Sequence, residues 1–153
     1  MKLKLVFLGA LITILFLSCE KDKFTTIPQI KVKSISPGTV DIGNIINMET
    51  EFTDEEGDLD SVYIVMKWFD GAVPNRVFDT IRYSFASYNL PAKTREGDIF
   101  VKFSYGQQIQ GYTQLTPSPA PLYDTTASFG ILVVDKARNR SEYKESDKIR
   151  LLE

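Results

Sequence analysis

Asp54, Glu56, Asp58 and Asp60 stand within seven residues, with Glu55 and Gly57 among them. Side chains of this type at this spacing repel one another unless a cation or a basic group sits between them. Their donors are all oxygen, which suits a hard ion, so calcium is the natural candidate. The run is not an EF-hand loop, because Gly57 comes too early and no glutamate closes it at the required distance. A second reading has Asp54 capping a turn and Gly57 supplying its backbone freedom, with the carboxylates solvated beside Arg138 or Arg140. A third is paired-carboxylate catalysis, which needs a substrate cleft between two positioned acids, and a domain this small offers little room for one.

The residue types that are missing narrow the chemistry further. The 153-residue chain has no histidine and one cysteine, Cys19. Without histidine there is no Ser-His or Cys-His nucleophile pair, no ordinary hydrolytic zinc centre and no side chain that titrates near neutrality. The expectation is therefore a protein that is not an enzyme. A second group with binding chemistry is the polar aromatic stretch Tyr105-Gly-Gln-Gln-Ile-Gln-Gly-Tyr112, continuing to Tyr123. Tyrosines beside glutamines can stack on sugar rings and bond their hydroxyls, and long loops in compact domains often carry function. Tyrosines equally anchor loops to their own sandwich, and the proline-rich part suits a spacer.

The elements that must position these groups read as strands. Residues 29–35 alternate Ile30, Val32 and Ile35 with lysines, and Ser36-Pro37-Gly38 ends the run. Over 45–53, Ile46, Met48 and Phe52 share a face. After the acidic turn, Val62, Ile64, Met66 and Trp68 share one face and Tyr63, Val65, Lys67 and Phe69 the other. Further β-prone runs cover 76–85, 99–105, 127–134 and the end of the chain, with 86–97 a connection and 106–126 a long loop. Pro117, Pro119 and Pro121 exclude a central strand in that loop. No helical period survives after residue 19. The pattern predicts an all-β fold, an antiparallel immunoglobulin-like sandwich of about seven strands over 29–153, with the only tryptophan on its third strand. Bridging cysteines are absent, so packing alone holds the sheets. In such a sandwich the second-to-third and sixth-to-seventh connections leave at one end, which brings Asp54, Glu56, Asp58 and Asp60 near Asp135 and Asn139.

The first 18 residues stand apart. Lys2 and Lys4 precede Leu5–Leu17, a run of 13 residues without charge. A spanning helix needs about 20 apolar residues, so this run fits a cleaved export signal. A buried N-terminal core helix is the alternative, which a helix apolar on all sides and preceded by lysines suits poorly. From Cys19 onward there are 16 basic and 20 acidic residues, a formal charge of −4 with no basic block, so nucleic acid is not an expected partner.

Leu15-Phe16-Leu17-Ser18-Cys19 resembles the lipobox of bacterial lipoproteins, although Phe16 stands where leucine is usual. It implies cleavage before Cys19, lipidation of that residue and a tether over 19–28. Glu20-Lys21-Asp22 is similar to the charged signature that follows the lipid cysteine in many Bacteroidetes surface lipoproteins. Phe52-Thr-Asp-Glu-Glu-Gly-Asp58 and Val133-Val-Asp135-Lys-Ala-Arg-Asn139-Arg-Ser141 are similar to turns of bacterial immunoglobulin-like and cadherin-like domains, with Arg138 in place of a glycine. Together these imply a lipid-anchored protein of the Gram-negative outer membrane or cell surface, the periplasmic face being the other side. Its role is then a binding or accessory module for a glycan or an envelope protein, or a structural spacer or assembly subunit, rigidified by calcium. A shared fold does not by itself fix which.

Overall fold

The computed structural model describes residues 24–70, 73–88, 93–116 and 125–152. Cys19, the flanking Glu20-Lys21-Asp22, the export signal and Tyr123 lie outside the described residues, as do Pro117, Pro119 and Pro121. Among the described residues ten strands run in the order β1 (Gln29–Ser36), β2 (Thr39–Val40), β3 (Ile45–Thr53), β4 (Leu59–Asp70), β5 (Val73–Ser84), β6 (Glu96–Tyr105), β7 (Thr113–Leu115), β8 (Thr125–Asp135), β9 (Lys144–Glu145) and β10 (Ile149–Leu151). One 3₁₀ turn, Phe85–Tyr88, follows β5. Among the described residues no helix is long and apolar enough to cross a membrane.

The strands form two sheets, β1-β3-β6-β7 and β2-β10-β8-β4-β5, with β9 added to β8. The order β1-β3-β6 against β10-β8-β4 is that of an immunoglobulin-like sandwich. Alternation explains why the layers close on each other. Ile46, Met48, Thr50 and Phe52 of β3 are buried, as are Val62, Ile64, Met66 and Trp68 of β4 and Ile99, Val101, Phe103 and Tyr105 of β6. Phe103 and Phe129 stack across the core with ring centroids 5.3 Å apart. All these side chains fall within residues 24–152, so a chain starting at Glu20 carries every one of them.

The sheets are mixed rather than antiparallel. β2 runs parallel to β10, and β7 runs parallel to β6. Both parallel strands are short pieces laid on after a crossover, so no local pattern announces them. β7 also interrupts the segment 106–126 that reads as loop: Thr113, Gln114 and Leu115 pair with Phe103, Ser104 and Tyr105. The closing stretch is broken as well. Ser141 and Ser146 replace ladder contacts with their side chains, Val133 N–H donating to Ser141 Oγ and Phe129 N–H to Ser146 Oγ, each at 3.0 Å.

Candidate metal centre

The site is made by where two strands end. β3 stops at Thr53 and β4 starts at Leu59, which pairs with Asp135, the last residue of β8. The two turns beyond these ends therefore meet, and Lys136 N–H donates to the Asp58 carbonyl at 3.1 Å to join them. Within the first turn, Asp54 Oδ2 accepts the Asp58 N–H at 2.8 Å. Gly57 takes φ +64°, and a Cβ there would lie 2.5 Å from the Lys93 carbonyl carbon, so only glycine fits the close approach. In the second turn Asp135 accepts twice from Asn139, from the backbone N–H at 2.8 Å and the side-chain Nδ2 at 2.7 Å. Arg138 keeps φ 74°, the left-handed conformation for which glycine is usual.

Neighbouring segments cover the turns. Asp54 N–H donates to the Arg95 carbonyl at 2.8 Å, Glu55 N–H to the Thr25 carbonyl at 3.2 Å, and Asn139 Nδ2 reaches the Thr26 carbonyl at 3.4 Å. The result is burial of groups that sequence alone would leave in water. Asp54 is 0% exposed and Asp135 1%. Carboxylate oxygens of Asp54, Asp58 and Asp135 all lie within 4.8 Å of one another. Among the described residues no basic side chain pairs with any of the three, so solvated carboxylates beside Arg138 or Arg140 is not the arrangement found. Burial pushes the Asp54 carboxyl up from its ordinary value. The bond from Asp58 N–H opposes that, and the charges of Asp58, Glu56 and Asp135 reinforce it.

Two oxygens of the cluster, Asp54 Oδ1 and Asp58 Oδ1, are buried and have no hydrogen-bond partner among the described residues. A buried acceptor left in this state costs roughly 1–3 kcal/mol, more when charged. Calcium–oxygen distances of about 2.3–2.6 Å allow two ligand atoms to stand up to about 5 Å apart. Three carboxylates within 4.8 Å can therefore hold a metal ion.

The six residues expected near one end separate into two groups. Asp54, Asp58 and Asp135 converge; Asn139 stands behind Asp135 and orients it. Glu56 is exposed and outside the group, and Asp60 is turned away to Arg82, its Oδ2 3.1 Å from the guanidinium. The tyrosines separate too. Tyr105 is 0% exposed and belongs to the core, so it presents no ligand surface. Its alternation with Phe103 and Val101 on β6 already places it inward. Tyr112 is half-buried on the rim of a cleft of about 480 Å3 between the sheets, whose walls include Phe52, Val62, Tyr83 and Phe85. None of Asp54, Asp58 and Asp135 lines that cleft. The Lys93–Arg95 segment that covers the acidic turn carries no sequence signal for its role.

No protein-family model matches the chain, and no curated protein sequence matches it. Solved structures with a similar backbone include the sporulation control protein Spo0M of Bacillus subtilis, at 6% identity and TM-score 0.49, covering 84% of this chain and 51% of that one. Another is the alkylpurine DNA glycosylase AlkC of Pseudomonas fluorescens, at 14% identity and TM-score 0.46, covering 84% and 31%. A third is the CARDB domain of the PF1109 protein of Pyrococcus furiosus, in complex with di-metal ions, at 10% identity and TM-score 0.35, covering 86% and 95%. The chain thus spans about half of the first of these proteins and under a third of the second.

Proposed function

We propose that this chain is a non-catalytic binding or accessory module of the Gram-negative envelope, lipid-anchored at Cys19, whose end turns are clamped by calcium. The observation that carries the cation is the pair of buried oxygens on Asp54 and Asp58 left without a partner among the described residues, on two carboxylates that come within 4.8 Å of Asp135. Calcium bridging the three carboxylates satisfies both oxygens, relieves their repulsion and locks the β3–β4 turn to the β8 turn. With three carboxylates and no bidentate closing glutamate, affinity belongs in the range of extracellular calcium modules, about 10⁻⁴–10⁻³ M. The anchor rests on the sequence around Cys19, and several acyl chains, at about 0.8 kcal/mol per buried methylene, hold a domain to a membrane where one does not.

The absence of histidine supports a non-catalytic role, as does the separation of the acid cluster from the cleft. The rim residue Tyr112 supplies the face on which a glycan or an envelope protein is held. A thermal melt of the chain from Glu20 onward, in calcium and again in chelator, tests the clamp. Calcium at about 100 times its dissociation constant adds about 2.7 kcal/mol. For a domain of this size that is a shift of roughly 8–12 °C. The shift disappears in Asp58→Asn. Equal melting in both buffers sinks the clamp.

A further inference from the structure

β6 is paired along its full length on one side and for three residues on the other. Its ladder to β3 runs from Thr53↔Glu96 to Ile45↔Ser104 with no register shift. On the outer edge, among the described residues, only Phe103, Ser104 and Tyr105 are covered, by β7. In a complete immunoglobulin-type sheet another strand covers this edge. Here, among the described residues, nothing pairs with the outer edge between Asp98 and Lys102. The segment has no proline and no bulge, two of the devices that blunt an edge, and its only charged side chains are Asp98 and Lys102. It borders the apolar cleft between the sheets, with Tyr112 beside it.

The side chains on this edge name the occupant. Asp98, Phe100 and Lys102 project from the outer face, and Phe100 is 62% exposed, the most exposed large apolar side chain among the described residues. Opposite charges stand two residues either side of the phenylalanine. When two copies of β6 lie antiparallel with Phe100 facing Phe100, each Asp98 falls opposite Lys102 of the second copy. Directly opposed residues of opposite charge, and aromatic pairs, stabilise an antiparallel ladder. The same register sets Ile99 opposite Val101 on the inner face, at the mouth of the cleft. The pattern is self-complementary, as a two-fold interface must be. Lys102 also lacks an ion-pair partner among the described residues, whereas Asp98 has only Lys33, at 3.2 Å.

We propose that the chain self-associates edge to edge through residues 98–102 of β6, the two-fold axis passing between the Phe100 side chains. The partner is a second copy of this chain. The contact is weak in solution, because five residues a side bury less than the roughly 1,000 Å2 that a stable interface clears. Confinement of the domain to a surface raises its effective concentration. The inference uses no residue of the acidic cluster, so it stands or falls apart from the calcium reading.

Sedimentation velocity over a concentration series from micromolar to near-millimolar tests it, on the chain from Glu20 onward in chelator. The wild type shifts from monomer to dimer across the series. Asp98→Lys and Lys102→Glu each set like charges opposite one another and raise the dissociation constant about tenfold or more, which is about 1.4 kcal/mol. An equimolar mixture of the two variants places lysines opposite acids and associates as the wild type does. So does the double exchange Asp98→Lys/Lys102→Glu. Unchanged melting temperatures show that the variants fold. A wild type that stays monomeric throughout, single variants that associate like it, or a mixture that fails to recover overturns the proposal.

Discussion

Asp54→Asn separates a cation ligand from a turn cap, because the two roles predict opposite signs in chelator. The Asp54 carboxyl is fully buried, with oxygens of Asp58 and Asp135 within 4.8 Å. At an effective dielectric of about 20, unit charges at that separation repel by about 3.5 kcal/mol. Against this stands one charge-assisted bond from Asp58 N–H, worth about 1 kcal/mol more than the neutral bond that asparagine still accepts. The repulsion wins, so without calcium the variant is the more stable protein at neutral pH, by at least about 1 kcal/mol. The pH dependence has the same origin. A carboxyl whose folded pKa is raised contributes stability that is fully present below its unfolded value and lost as pH rises through the folded value. The advantage of Asp54→Asn over wild type is therefore absent near pH 3.8 and grows as pH rises through the raised value.

In calcium the gap closes. The wild type gains about 2.7 kcal/mol at 100 times the dissociation constant, and the variant gains little. Urea unfolding of both proteins, in calcium and in chelator and across pH, reads both effects. If Asp54→Asn is less stable than wild type in chelator and indifferent to calcium, Asp54 is a cap and the reasoning fails.

Two glycines predict unequal costs for one substitution. Gly57→Ala forces a positive φ on alanine and drives its Cβ into Lys93 backbone, which cannot swing away, so chemical unfolding should show a loss of more than about 2 kcal/mol and weaker calcium binding. At Gly130 the three atoms nearest to an added Cβ all belong to the Tyr143 ring, the end of a side chain at the surface, so for Gly130→Ala the ring shifts and the loss should stay near or below about 1 kcal/mol. The anchor has its own check: metabolic labelling with palmitate marks the full-length wild type in a Gram-negative host and leaves Cys19→Ser unlabelled. Equal labelling removes Cys19 as the lipid site.

The strands were legible wherever one face is buried and the other wet. Period two placed Val62, Ile64, Met66 and Trp68 inward, and the same alternation marked β3 and β6. What local pattern could not show is pairing made by crossover. β7 is three ordinary residues, Thr113-Gln114-Leu115, that become a strand only because the edge of β6 is beside them. The meeting of the Asp54 and Asp135 turns followed from the topology of the sandwich. Their burial did not, since it depends on the Thr25–Thr26 and Lys93–Arg95 segments folding over them. Closely spaced acids look alike in sequence. Asp60 differs from Asp58 because a strand has begun, and its side chain meets Arg82 of β5 instead of the turn. Tyr105 shows the reverse case, where a polar ring suggested binding although its position in the alternation placed it in the core.

Isothermal titration of calcium into the chain from Glu20 onward tests the cation site most directly. The structure predicts one ion per chain, with a dissociation constant of about 0.1–1 mM, and no binding heat in Asp54→Asn or Asp58→Asn. A folded wild type that takes up no calcium at millimolar concentration, or whose binding survives both substitutions, contradicts the assignment of Asp54, Asp58 and Asp135 as a metal centre.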